Sequence, residues 1–159
     1  PGRSVVNMSV DTVVRLAKID NIVALKEANG DLDAMAEIIE QTSDNFYLYS
    51  GDDSLTLPIL SIGGAGVVSV AAHIIGNEMQ EMVTSFREGN NKHAASLHRK
   101  LLPIMNALFS APSPTPVKEA LNMKGIQVGN VRLPLVPLTE AERASLKEVI
   151  QPRHVKVVG

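Results

Sequence analysis

Three times in its first half the chain passes from a short apolar run almost directly into a helical pattern, and this repetition constrains the fold more than any other feature. The first run, Ile22-Val23-Ala24-Leu25, closes on Lys26-Glu27 and turns through Asn29-Gly30 to Asp31, which is placed to cap a helix over residues 32–39. Leu32, Met35, Ile38 and Ile39 make one stripe of that helix. The second run, Phe46-Tyr47-Leu48-Tyr49-Ser50, ends at Gly51-Asp52-Asp53, where an aspartate is placed to cap a helix over 54–62. The third, Val67-Val68-Ser69-Val70-Ala71, is a continuous run of the kind that parallel sheets bury on both faces, and a helix over 74–87 follows it. Alternation of this type predicts parallel βα units joined by right-handed crossovers.

The flanking segments have a different character. A helix opens at Ser9 and Asp11 and runs to about residue 18, with Val13, Val14, Leu16 and Ala17 at helical spacing. Beyond residue 73 two long amphipathic helices, 74–87 and 92–109, follow one another with no strand between them. Residues 111–116, with three prolines, read as a stiff extended connector to a short helix over 117–123. Residues 132–137 read as extended again, and Thr139-Glu140-Ala141-Glu142 is a capping box for a last helix to about residue 150. At 159 residues the chain can build one real core, but it is short for a βα barrel, which needs about 250 residues.

Composition removes several classes of function. A net charge of −2, no Trp and two Tyr give neither a basic face nor a stacking platform, so nucleic acid is not the expected partner. No apolar run approaches the roughly 18–20 residues of a membrane span, which points to a cytoplasmic protein with no membrane partner. The lack of Cys excludes disulfides, thiolate metal sites and cysteine nucleophiles, and suits a reducing compartment.

Most other motifs have plain structural readings. Gly63-Gly64-Ala65-Gly66 has the look of a phosphate loop, but it follows a helix and precedes a strand, the reverse of a phosphate cradle, so a tight helix-to-strand turn is expected. Asp52-Asp53 at a strand end suits a helix cap better than a metal pocket, because no third oxygen ligand lies nearby. His73, His93, His98 and His154 have no metal-binding spacing, and no metal is expected. No Gly-x-Ser-x-Gly elbow supports serine hydrolase chemistry.

Lys26 is left, and two readings of it stand side by side. A lysine that ends an apolar run is commonly the first solvated residue after the core. Period-two alternation, however, puts Lys26 on one face with Ile22 and Ala24, with Val23 and Leu25 on the other. An ordinary lysine, with a pKa of about 10.4, offers less than about one free amine in a thousand at neutral pH, so attack on a ketone needs a desolvating apolar interior. A barrel interior supplies one, and its active face lies at the carboxyl ends of the strands, where Lys26, Gly51 and the end of the third run converge.

The residues around these positions also carry a family likeness. Pro1-Gly2-Arg3-Ser4, Val23-Ala24-Leu25-Lys26-Glu27-Ala28-Asn29-Gly30-Asp31-Leu32, Tyr49-Ser50-Gly51-Asp52-Asp53, the segment from Gly63 to Val70 and Arg132-Leu133-Pro134-Leu135-Val136-Pro137-Leu138 together resemble the dihydrodipicolinate synthase family of Schiff-base pyruvate aldolases. The resemblance implies a lyase in which Lys26 forms an imine with pyruvate and the enamine attacks aspartate 4-semialdehyde, a step of lysine and diaminopimelate biosynthesis. It further implies that Arg3 holds the semialdehyde carboxylate, a task suited to its fixed fork of donors. Val68 then lines the pyruvate site and Gly51 leaves clearance beside the lysine. His73 stands where the family suggests asparagine, and no role is assigned to it. No cofactor or metal is implied.

The likeness covers only the second part of such an enzyme. It implies the carboxy-terminal half of a (β/α)8 barrel, strands six to eight, with residues 1–73 in the barrel half and 74–159 as the last barrel helix and a carboxy-terminal helical layer. The family's general-acid tyrosine and pyruvate-carboxylate loop are not in this sequence, so the chain is expected to be a fragment, a nicked product or one half of a split enzyme, inactive until the amino-terminal half is present. A homotetramer is implied for the complete enzyme. Two alternatives remain: an aldolase of the same family acting on sialic or keto-deoxy sugar acids, and, in a different class, a small doubly wound α/β binding module with Asp52-Asp53 as an acidic pocket.

Overall fold

The computed structural model describes residues 4–151, which divide between Ser69 and Val70 into two compact units. The first unit runs α1 (Val10–Leu16), β1 (Ala24–Glu27), α2 (Leu32–Gln41), β2 (Tyr47–Ser50), α3 (Thr56–Ser61) and β3 (Gly66–Val67). The strands form one parallel sheet in the order β1-β2-β3. Ser9 caps α1 by accepting from Thr12 N, and Asp31 caps α2 by accepting from Ala34 N, so both helices begin where side-chain oxygens take orphan amides.

One face of this sheet is packed. Val13 of α1, Met35 and Ile38 of α2, Ile59 of α3, Leu25 of β1 and Leu48 of β2 form a single buried cluster, with Leu32 and Ile39 partly buried against it. Burying an aliphatic side chain of this size contributes roughly 1.5–3 kcal/mol, so these few residues account for much of what holds the unit together. On β2 it is Leu48 that joins this cluster, and Tyr47 lies on the other face.

Three local expectations need correction. The helix over 54–62 starts later, at Thr56, because the Asp52 carboxylate accepts from both N and Oγ of Ser54, closing a turn rather than capping the helix. The third strand is two residues long rather than five. Val68 N still donates to Ser50 O at 2.8 Å, but Ser50 is the last residue of β2, and the chain beyond has no ladder to follow. At Gly63-Gly64 the chain makes a helix-to-strand turn: Gly63 takes a φ of +103°, and Gly64 N donates to Ile59 O so closely that a side chain at 64 would strike Ile59.

The second unit is helical: α4 (Ala72–Arg87), α5 (Asn91–Ala107), α6 (Thr115–Met123) and α7 (Glu140–Ile150). α4 and α5 pack along each other, and α6 and α7 close over them, burying Met79, Met82, Leu97, Leu101, Met105 and Leu146. α4 is kinked at Ile75 (φ −131°, ψ 42°), and the Lys124 ammonium donates to the Ile74 carbonyl there at 2.8 Å. α6 takes up Thr115 and Pro116 from the expected connector, since proline is tolerated in a first turn. Segment 132–137 is not extended throughout, for Leu135 N donates to Arg132 O in a turn. α7 carries the complete capping box, with Thr139 and Glu142 each accepting from the other's backbone amide. Among the described residues no helix is long and apolar enough to cross a membrane.

Candidate active site

Strand alternation determines what lies on the second face of the sheet. Leu25 and Glu27 point towards the helices, so Ala24 and Lys26 point the other way, and Lys26 is exposed. The register pairs Lys26 with Tyr49, and Tyr49 with Gly66, making one row across the three strands. Val68, two residues past Gly66, is 51% exposed on the same side, and Tyr47, in register with Ala24, is 47% exposed. Among the described residues the sheet has three strands, and none closes over this face. Among the described residues, Lys26 is therefore not enclosed in an apolar interior.

The carboxyl ends of the parallel strands gather the candidate residues. Gly51 follows β2, and its amide donates to the Glu27 carbonyl at 2.7 Å, which ties it to the residue after Lys26. A Cβ at position 51 would lie 2.8 Å from the Lys26 Cε and 2.9 Å from the Ala28 Cβ. Only glycine leaves the lysine side chain its course. Val68 joins the same end through its bond to Ser50 O. Lys26, Gly51 and Val68 thus lie at the same carboxyl end of the sheet, Gly51 against Lys26 and Val68 bonded to the residue before Gly51, while Arg3 lies outside the described residues. His73 is an exposed residue in the first turn of α4. A cavity of about 210 Å³ lined by Ile39, Phe46, Gly63 and Ala65 sits at the amino end of β2, away from these groups.

Asp52 and Asp53 make no metal pocket with their neighbours: among the described residues no three His, Cys, Asp or Glu side chains are grouped to hold a cation. Two residues at this end escaped the sequence reading. Tyr49 shares the row of Lys26, with its ring so close to Gly66 that a Cβ there would sit 3.3 Å away. Assigning Leu48 to the core would have exposed it by alternation. Glu27 is the other, a carboxylate 7% exposed that accepts from Ala28 N and Asn29 N. Alternation places Glu27 on the face of Leu25, but a charged residue beside a lysine at a strand end otherwise reads as solvated.

Residues 1–153 match the family model described as the dihydrodipicolinate synthetase family. The chain belongs to the dihydrodipicolinate synthetase family. Within it, the chain is 64% identical over 155 residues to 4-hydroxy-tetrahydrodipicolinate synthase 2 of Halalkalibacterium halodurans, covering 98% of this chain and 53% of that relative. Its fold matches the crystal structure of a dihydrodipicolinate synthase from Bacillus anthracis with a TM-score of 0.91 at 60% identity, covering 94% of this chain and 51% of the other. The enzyme from Acinetobacter baumannii, solved in complex with pyruvate, matches with a TM-score of 0.89 at 37% identity, covering 94% and 52%. These dihydrodipicolinate synthetase family neighbours are (β/α)8-barrel enzymes, and the chain spans about half the length of the curated relatives it matches.

Proposed function

We propose that this chain is the carboxy-terminal half of a 4-hydroxy-tetrahydrodipicolinate synthase, a cytoplasmic lyase that condenses pyruvate with aspartate 4-semialdehyde. Its three strands are then strands six to eight of the barrel, residues 1–73 belong to the barrel half, and 74–159 form the last barrel helix and an added helical layer. The observation that carries the reading is the position of Lys26. It stands at the carboxyl end of a parallel strand with Gly51 keeping its path clear, in a chain 64% identical to a relative of that name.

In this reading the Lys26 amine adds to the pyruvate ketone, and loss of water leaves an imine. Loss of a proton from the pyruvate methyl gives the enamine, whose carbon attacks the semialdehyde aldehyde. Val68 lines the pyruvate side of the row, and Gly51 leaves clearance for the lysine and the bound ketone. Arg3 holds the semialdehyde carboxylate. The strands that oppose this face provide the apolar enclosure that frees the amine, and the general acid and the pyruvate-carboxylate site come with them. No cofactor is needed. The complete enzyme is a homotetramer, and the chain alone is inactive.

The test is reductive trapping in the completed barrel, formed by this chain with the amino-terminal half of the Halalkalibacterium halodurans relative. Pyruvate with borohydride is expected to leave a reduced pyruvyl group on Lys26. Labelling at another lysine, or none, overturns the reading, and turnover by the 159-residue chain alone overturns the need for the other half.

A further inference from the structure

We infer that Glu27 is a positioning residue for Lys26, holding the end of β1 from behind the sheet; this rests on the reading of Lys26 as the imine-forming lysine. A carboxylate at 7% exposure is costly unless its oxygens are hydrogen-bonded. Glu27 meets that need locally: its Oε1 accepts from Ala28 N at 2.7 Å and from Asn29 N at 2.9 Å, short bonds strengthened by the charge. The carboxylate thereby folds the chain back immediately after β1. The main chain of the same residue accepts from Gly51 N at 2.7 Å, joining the ends of β1 and β2.

β2 ends on a matching device. Ser50, the register partner of Glu27, is fully buried, and its Oγ donates to Asp52 O at 2.6 Å and accepts from Asp52 N at 3.2 Å. Gly51 is held inside that turn. Lys26 and the glycine that clears its path are each adjacent to a buried polar side chain that folds the following turn. Both side chains lie on the helix side of the sheet, opposite the face that carries Lys26, so Glu27 acts through the backbone and does not touch substrate. Misplacement of a reacting group by about 1 Å can cost on the order of a hundredfold in rate, so a loosened strand end shows in chemistry before it shows in binding.

The experiment uses the completed barrel and follows the rate of borohydride trapping at Lys26 against pyruvate concentration, together with amide exchange at Ala28 and Asn29. Glu27→Gln keeps an acceptor oxygen, Glu27→Leu removes it, and Glu27→Asp, shorter by one methylene, serves where the leucine variant does not fold. The expected result is trapping at saturating pyruvate slowed roughly tenfold or more in Glu27→Leu or Glu27→Asp, half-saturation within about threefold of wild type, faster exchange at both amides, and near-wild-type behaviour in Glu27→Gln. A wild-type trapping rate in Glu27→Leu or Glu27→Asp overturns the inference. So does a Glu27→Gln variant as slow as Glu27→Leu, since the acceptor would then be irrelevant. A wild-type barrel left unlabelled at Lys26 overturns the proposed function and this inference with it, and is distinguishable because variants are read only against a labelled wild type.

Discussion

The two faces of the three-stranded sheet are built from alternate residues of the same strands, yet they differ in almost every physical respect. On one face Leu25 and Leu48 are 8% and 2% exposed among Met35, Ile38 and Ile59. On the other, Ala24, Lys26, Tyr47 and Val68 are exposed. Packing free energy is concentrated on the first face and chemical groups on the second. The residues that hold the fold together and those proposed to react can therefore be changed separately, one residue apart along a strand.

The sharpest test of that separation is Lys26→Ala. In the completed barrel it removes the amine on which the proposed chemistry depends, and pyruvate condensation is expected to fall at least about a thousandfold, read by steady-state turnover. In the chain alone the same change lies on an exposed face and is expected to shift the urea midpoint by less than about 0.5 kcal/mol equivalent. A large loss of stability would show that Lys26 is part of the packing and would break the comparison. Met35→Ala does the reverse. It empties a fully buried site in the cluster and is expected to cost about 2–5 kcal/mol in urea unfolding. Its partner on the open face, Val68→Ala, should cost less than about 0.5 kcal/mol in the chain alone.

Gly51→Ala lies between the two in size. The added methyl meets both the Lys26 Cε and the Ala28 Cβ closer than real side chains approach, so both must shift, and crowding of this kind costs roughly 1–3 kcal/mol. Slower trapping at Lys26, with the label still confined to that residue, is the expected outcome. A variant that traps at the wild-type rate would mean that the lysine approaches pyruvate along some other course.

These contrasts explain what the sequence made legible. The βα alternation was readable because each strand and helix carries its own cap, glycine turn or apolar stripe: Ser9, Asp31 and the Thr139–Glu142 box all act where their sequence positions suggest. Lengths were less readable. β3 reads as five residues from its β-branched run, but a strand extends only as far as its neighbour does, and β2 ends at Ser50. The face of Lys26 was legible by period two, whereas its surroundings depend, in the proposed barrel, on strands outside this sheet. Glu27 and Ser50 were missed for a further reason, that their burial is compensated by backbone amides and carbonyls, which no side-chain pattern records.

The smallest expected effect serves as a control from the helical unit, where two groups bind protons less readily than usual. Burial, with the Arg99 charge as a lesser cause, lowers the pKa of His98, and the Thr139 amide and hydroxyl lower that of Glu142. In both cases the unfolded chain takes up protons first, so acidification favours unfolding. For His98 the stability is complete above the ordinary histidine value of about 6.5 and declines as pH falls through the lowered folded value. For Glu142 it is present above about 4.3 and declines below that. Two shallow losses are expected in a plot of thermal midpoint against pH. His98→Gln should remove the upper one and Glu142→Gln the lower one. Neither substitution should alter trapping at Lys26 at neutral pH, because both residues belong to the helical unit and Lys26 to the other. A change in trapping by either variant would show that the open face of the sheet is not energetically separate from the rest of the fold.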